Sequence, residues 1–221
     1  DVDYTTRISH MLAPETAASL ASLVDLKQAM GNPSNATEAV HKDTVYITVV
    51  DKDRMAVSLI YSIFHSFGSG IASDRYGILF QNRGAGFTLE KGHPNELAGG
   101  KRPMHTIIPG MLAQNGRITM PFGVMGGAYQ PNGHARLLSN MLDFDLNIQA
   151  AIDAPRSFYD NGVLKIERGY ASEVHQRLAD MGHKIEIPKG PIGGAQAIFI
   201  GDDGILTGAS DPRKDGCALG Y

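Results

Sequence analysis

The sequence predicts an α+β fold in which helices are layered on antiparallel sheets. Two strand patterns open the main part of the chain, helical patterns follow, and strand patterns return towards the C-terminus. Separate runs of strands and helices favour this class over an alternating βα arrangement. With 43% hydrophobic and 19% charged residues, the 221-residue chain has the composition of an ordinary globular protein.

The pattern of elements changes at Thr44. Before it, residues 10–30 predict a helix with an apolar stripe, and a polar, turn-rich stretch then predicts an exposed loop ending at Asp43. After it, residues 44–50 and 55–63 are β-branched and aromatic, which predicts two strands with both faces buried. Further strands are expected at 78–81, 117–121, 163–167, 184–187, 195–200 and 205–209, and further helices at 132–142, 147–154 and 171–181.

Composition and charge exclude several classes of function. A net charge of −3 offers no basic surplus for a phosphate backbone, so nucleic acid is not an expected partner. The sequence has no run of about 18 apolar residues, so no membrane span is expected. The histidines stand singly, without the spacing of metal ligands, and we expect neither a metal nor another cofactor. The lone Cys217 leaves the compartment open between periplasm and cytoplasm.

Four stretches of the sequence, taken together and in their order along the chain, carry the functional information. They are residues 44–53 with 56–58, residues 101–109, residues 123–127, and the pair formed by 153–156 and 208–213. Together they match the small subunit of the gamma-glutamyltranspeptidases from end to end, and the chain is identified as a divergent member of that family. The resemblance implies an αββα sandwich of the N-terminal nucleophile hydrolase type, made from a precursor that cuts itself.

The resemblance places the cut between Asp43 and Thr44. Residues 1–43 then form the tail of the large subunit, residues 44–221 form the small catalytic subunit, and the remainder of the large subunit is the expected partner. A hydroxyl is a poor nucleophile without a base, and an N-terminal Thr carries its own base in its α-amine. That amine has an ordinary pKa near 8, so much of it is neutral near pH 7. Thr44 is therefore the expected nucleophile.

Four further positions complete the expected catalytic site. Thr48 lies four residues after Thr44, hence on the same strand face, where its hydroxyl either orients the nucleophile or is an ordinary strand residue. Ser62 stands where the family has a second Thr that hydrogen-bonds the nucleophile's amine. Gly126 and Gly127 match the family's oxyanion hole, since glycine lets backbone N–H groups approach a developing negative charge.

The expected substrate site departs from the family pattern. His105 and Thr106 stand where the family has two serines that hold the donor's carboxylate, and both can still donate hydrogen bonds. Phe64, Arg83 and Gly86 stand where an Asn, a Gln and an Asp usually surround the donor's α-amino acid end. An acidic partner for the α-ammonium is missing and a cation has appeared, which favours a glutaryl-like acyl amide over a γ-glutamyl one. Arg83 has a second interpretation, as a solvated surface charge.

Two other functions compete with an autoprocessed amidohydrolase or transferase. One is a relative that never matures and acts as a structural or binding protein, because residues 1–43 still precede Thr44. The other is a serine hydrolase with a histidine base, which the missing G-x-S-x-G turn disfavours.

Overall fold

The computed structural model describes residues 2–4, 7–30 and 42–221, with the side chains of residues 2, 42 and 43 excepted. Within these residues the chain forms five α-helices and nine strands. The helices are α1 (Ile8–Met11), α2 (Pro14–Ala21), α3 (Gln130–Leu142), α4 (Ile148–Asp153) and α5 (Ser172–Asp180). The strands are β1 (Lys42–Val50), β2 (Ala56–His65), β3 (Gly110–Gln114), β4 (Arg117–Met125), β5 (Ser157–Asp160), β6 (Val163–Ile166), β7 (Ile185–Glu186), β8 (Gly194–Ile200) and β9 (Leu206–Ser210).

The described strands form three sheets, which confirms the predicted α+β class. One is the antiparallel pair β1–β2, and another is a mixed sheet in the order β5-β6-β7. The largest is an antiparallel sheet in the order β3-β4-β8-β9. Helices α3 and α4 contact this sheet, and so do β1 and β2.

Strand β4 separates two layers because its side chains alternate between faces. Phe122 and Val124 face α3 and belong to the buried core, and the ring of Phe122 lies 4.9 Å from the ring of His134. Gly123 faces the other way, against the ring of the buried Tyr46 on β1. The described chain is thus layered as helices, a four-stranded sheet, and the β1–β2 pair.

The β1–β2 pair buries only one of its faces. Thr44, Tyr46 and Thr48 alternate with the apolar residues of the outer face, which are 44–63% exposed: Val45, Ile47, Val49, Val57, Leu59 and Tyr61. The expectation that both faces are buried is therefore wrong for the described residues. The apolar outer face has the composition of a buried surface, and the described elements pack only against the inner one.

A buried group of charged residues fastens the C-terminal strands to the helical layer. Arg156 pairs with Asp211 at 2.5 Å, with side chains 6% and 0% exposed. Arg213 pairs with Asp211 at 3.2 Å and with Glu167 at 2.8 Å. Glu167 also accepts the backbone N–H groups of Arg156 and Ile192. Each charge is matched and hydrogen-bonded, which is what makes its burial tolerable.

Most predicted elements are confirmed, with five differences. The predicted helix 10–30 is present only as the short α1 and α2, which bury no residue. The predicted strand 78–81 is reduced to one bridge between Ala72 and Leu79. Strands β3 and β5 were not predicted, and β1 begins at Lys42 instead of Thr44. Residues 31–41 of the predicted loop lie outside the described residues.

Because Gly123 lies against the ring of Tyr46, we predict that position 123 tolerates no side chain. A Cβ on Gly123 would lie 2.3 Å from ring atoms of Tyr46. We expect Gly123→Ala to lower the free energy of unfolding by about 1–3 kcal/mol, the usual cost of overpacking a core. Urea unfolding of the full-length protein measures the change. Gly190→Ala is the matched control, because nothing lies within 4 Å of its Cβ position, and equal stability losses in both variants would contradict the prediction.

Candidate active site

Thr44 lies at an irregularity in the β1–β2 pair. Thr44 pairs with Ser62 and Asp43 pairs with Phe64, so the register shifts between Asp43 and Thr44, at the predicted cleavage bond. Ile63 is the additional residue on β2, which makes this a β-bulge. Phe64 takes a φ of 77°, although it is 5% exposed and carries a bulky ring. Such a backbone is costly for a non-glycine residue and is typical of functional sites.

A chain of polar contacts links Thr44 to a buried cation. Thr44 Oγ1 lies 3.0 Å from Ser62 Oγ, and both side chains are part-buried. Ser62 Oγ accepts the Nη2–H of Arg83 at 3.1 Å and the backbone N–H of Phe64 at 3.2 Å. The structure therefore brings together three of the residues selected from the sequence: the expected nucleophile, its hydroxyl neighbour and Arg83.

Arg83 is buried, with only 4% of its surface exposed. Its guanidinium lies over the Phe64 ring at 5.0 Å, and burial lowers its pKa from the ordinary value. Its Nη1 has no hydrogen-bond partner, and Arg83 makes no ion pair with a carboxylate in the described part of the chain. The interpretation of Arg83 as a solvated surface charge is therefore wrong.

The side chain of Thr48 hydrogen-bonds within the β1–β2 strand pair. Its hydroxyl donates to the carbonyl of Val57 at 2.9 Å, across the β1–β2 pair. Between Thr44 and Thr48, the hydroxyl of Tyr46 lies 2.8 Å from Ser58 Oγ, and burial raises the pKa of Tyr46. The geometry matches the ordinary strand interpretation of Thr48 and gives no contact between Thr48 and Thr44.

Gly126 and Gly127 form the turn that follows β4. Their φ values are 129° and 58°, both in the region that favours glycine, and Gly127 is buried. A Cβ on Gly126 would lie 2.9 Å from the Cα of Gly193, so two backbone segments touch here. The loop at Gly193 therefore supports the turn at Gly126 and Gly127.

The segment containing His105 and Thr106 is tied to Gly86 by a residue the sequence did not single out. Asn95 donates to the carbonyl of Gly86 at 2.6 Å and accepts the backbone N–H of Met104 at 2.8 Å. His105 is exposed and its Nδ1 lies 2.9 Å from the carbonyl of Pro103, while Thr106 is half-buried. A lone Asn in a loop gives no local pattern, so only the folded chain identifies this link.

A second asparagine holds the loop that carries Arg83. Asn82 accepts the backbone N–H of His65 at 3.0 Å, and its amide nitrogen lies 3.0 Å from Nδ1 of the same histidine. The His65 ring stacks on Phe64 at 4.5 Å, so the end of β2 and the Arg83 turn are fixed together. Among the residues that the structure describes, no group of three His, Cys, Asp or Glu side chains is arranged to hold a metal ion.

Comparisons with known proteins agree with the sequence resemblance. The family model described as gamma-glutamyltranspeptidase matches residues 1–221. The chain is 36% identical over 230 residues to the oxamate amidohydrolase proenzyme of Klebsiella pneumoniae, covering 100% of this chain and 42% of that one. It spans less than half the length of the first curated relatives that it matches.

Solved structures share the fold. A cephalosporin acylase from Bacillus halodurans superposes with a TM-score of 0.84 at 37% identity, covering 96% of this chain and 39% of that one. The gamma-glutamyltranspeptidase from Pseudomonas nitroreducens complexed with L-DON superposes with a TM-score of 0.73 at 26% identity, covering 80% of this chain and 98% of that one. The chain belongs to the gamma-glutamyltranspeptidase family and has the αββα fold of the N-terminal nucleophile hydrolases.

Proposed function

We propose that this chain is the catalytic part of an autoprocessed amidohydrolase in which Thr44, exposed by cleavage after Asp43, forms an acyl-enzyme. The observation that carries this proposal is the 3.0 Å contact between Thr44 and Ser62 beside a bulge at the Asp43–Thr44 bond. A solved relative covers 80% of the chain, which is the share of the chain that residues 44–221 make up, and this agreement supports residues 1–43 as large-subunit tail.

Self-cleavage uses the same oxygen as catalysis. Thr44 Oγ1 attacks the carbonyl carbon of Asp43, the proton moves to the departing Thr44 nitrogen, and water then hydrolyses the resulting ester. The bulge supports this step, because a register shift at the bond removes it from regular pairing and concentrates strain at Phe64. The products are a chain ending at Asp43 and a chain whose first residue is Thr44 with a free α-amine.

Amide hydrolysis then follows the logic of an N-terminal nucleophile. The α-amine takes the proton of Thr44 Oγ1 as that oxygen attacks the substrate carbonyl, and returns it to the leaving amine. The acyl group stays on Thr44 as an ester until water, or an acceptor amine, takes it. We assign the N–H groups of the turn at Gly126 and Gly127 to the oxyanion, since the turn follows β4, which packs directly on β1.

The substrate we propose is an acyl amide with a carboxylate and no α-ammonium, such as a glutaryl amide, with a γ-glutamyl amide as the poorer donor. The ring of Phe64 fills the space beside Gly86, 3.8 Å from its Cβ position, so neither residue supplies an anion for an ammonium. His105 and Thr106, on the segment that Asn95 ties to Gly86, are the proposed hydrogen-bond donors to the carboxylate. The matched oxamate amidohydrolase and cephalosporin acylase support amide hydrolysis as the reaction class.

The remainder of the large subunit is the proposed partner. The described chain supplies one helical layer and two sheet layers of an αββα sandwich, and the outer face of β1–β2 is apolar and 44–63% exposed. Helix α2 also buries none of its residues, and Leu20 is 62% exposed. Both surfaces fit a role as contacts with the rest of the precursor.

The competing proposal is a relative that never matures. Cleavage of the wild-type protein and of Thr44 variants separates it from the autoprocessed amidohydrolase. We expect Thr44→Ala to leave a single uncut chain and to lower amide hydrolysis by at least about 10⁴-fold, because both steps lose their nucleophile. Thr44→Ser is the control that keeps the hydroxyl and should still be cut. Intact mass and N-terminal sequencing of the full-length precursor read the outcome. Normal cleavage of Thr44→Ala would contradict self-cleavage by this residue, and an uncut wild-type protein would favour the inactive relative.

The substrate proposal predicts a preference among donors that differ by one ammonium group. We expect kcat/KM for a glutaryl anilide to equal or exceed that for a γ-glutamyl anilide, because leaving the α-ammonium without an anionic partner costs about 1–3 kcal/mol. A valeryl anilide, which lacks both charged groups, is the control for the contribution of the carboxylate. A clear preference of the matured protein for the γ-glutamyl donor would contradict the assignment.

A further inference from the structure

We propose that Gln130 is a positioning residue that sets where the carboxylate end of the donor lies relative to its reacting carbonyl. Its backbone holds the turn at Gly126 and Gly127, and its side chain holds the segment that carries His105 and Thr106. This inference rests on the proposed function, which assigns the turn to the oxyanion and the segment to the carboxylate. Gln130 acts through these two groups and not on the substrate itself.

The segment with the proposed carboxylate donors is held by amide side chains. It lies outside the helices and strands of the described chain, so its backbone N–H groups need other partners. Asn95 accepts the N–H of Met104 at 2.8 Å, and Gln130 Oε1 accepts the N–H of Ile108 at 3.2 Å. The two proposed donors lie between these contacts in the sequence. Their stretch of backbone is therefore fixed at both ends to other parts of the chain.

The second of these amides belongs to the residue that continues the proposed oxyanion turn. The backbone N–H of Gln130 donates to the carbonyl of Gly127, and Gln130 then begins α3. The next turn of α3 reaches the same segment: burial lowers the pKa of His134, and a hydrogen bond with the backbone of Ile108 raises it. One residue thus joins the group proposed for the reacting carbonyl to the group proposed for the carboxylate.

The environment of the Gln130 side chain favours positioning over packing as its role. The residue is 0% exposed, and its Nε2 has no hydrogen-bond partner in the described part of the chain. The contact with a backbone donor identifies the other end of the amide as the oxygen. A buried amide with an unused N–H group costs stability relative to an apolar side chain of similar size. The feature that an apolar residue could not reproduce is the contact with Ile108.

The first test asks whether recognition of the donor's carboxylate depends on this contact. In the matured full-length protein, kcat/KM is compared for a glutaryl anilide and for a valeryl anilide, which lacks the carboxylate. Wild type should favour the glutaryl donor by at least about tenfold, because hydrogen bonds to a charged group are strong.

Gln130→Met should lower this ratio. The substitution keeps the size of the side chain and the backbone contact with Gly127, but it leaves the N–H of Ile108 without its acceptor. The segment can then move away from the carboxylate while the turn stays in place. We expect the ratio to fall by about tenfold, mainly through KM for the glutaryl donor, and kcat for the valeryl donor to stay within about threefold of wild type.

A glutamine on the neighbouring helix provides the matched control. Gln149, on α4, also accepts a backbone N–H through Oε1, that of Ser210 at 3.1 Å, which lies at the end of β9. Gln149→Met should leave the ratio within about twofold of wild type. Gln130→Glu is the conservative variant, because burial favours the neutral acid and its oxygen can still accept the N–H of Ile108. It should keep the ratio within about threefold of wild type.

A role of Gln130 in folding alone would give a different result. It would lower kcat/KM for both donors by the same factor in Gln130→Met, and an unchanged ratio overturns the inference while leaving the proposed function intact. A wild-type ratio near one removes the proposed carboxylate recognition and the inference together, and so does a wild-type protein that is never cut.

Maturation of the variants gives the remaining outcomes. If Gln130→Met is not cut while Gln130→Glu is cut and keeps the ratio, the acceptor for Ile108 is needed for the site to form, which supports the inference. Failure of both variants to mature would assign Gln130 to the fold or to the cleavage step and overturn it. Loss of the ratio in Gln130→Glu, which retains the acceptor, would also overturn it.

Discussion

The register shift between Asp43 and Thr44 is the constraint on which the candidate site depends. It pairs Thr44 with Ser62 and sets Phe64 in a strained conformation beside the bond that is proposed to break. The ring of Phe64 is also the surface against which the Arg83 guanidinium lies. One irregularity in an antiparallel pair therefore places the nucleophile and a buried cation within hydrogen-bonding reach of the same hydroxyl, that of Ser62.

Packing between the layers brings the two halves of the proposed chemistry onto touching strands. Tyr46, two residues after Thr44, packs against Gly123, and β4 continues from this contact into the turn at Gly126 and Gly127. That turn rests on Gly193, whose neighbour Ile192 is held at its carbonyl by Arg156 and at its N–H by Glu167. The buried charges near the C-terminus thus stabilise the loop that supports the proposed oxyanion site, which gives the two arginine-containing motifs a structural reason.

The sequence predicts features that depend on local pattern and misses those that depend on packing. The β-branched run after Thr44 predicts a strand and the glycines after β4 predict a turn, because strand propensity and backbone freedom are properties of short segments. The outer face of β1–β2 is exposed in the described chain although its apolar composition predicts burial. The burial of Arg83 and the bridging role of Asn95 come from contacts between loops distant in sequence, which a single sequence does not display.

If Thr44 carries the acyl group during turnover, acid quenching of the matured protein with a slow acyl amide should trap that group on Thr44. Digestion and mass spectrometry then locate the covalent adduct. We expect the acyl mass as an ester on the peptide that begins at Thr44. Once the donor is exhausted, we expect no adduct in wild type or in Thr44→Ser. An adduct on another residue, such as the exposed Cys217, or donor consumption by a chain still joined at Asp43–Thr44, would contradict it.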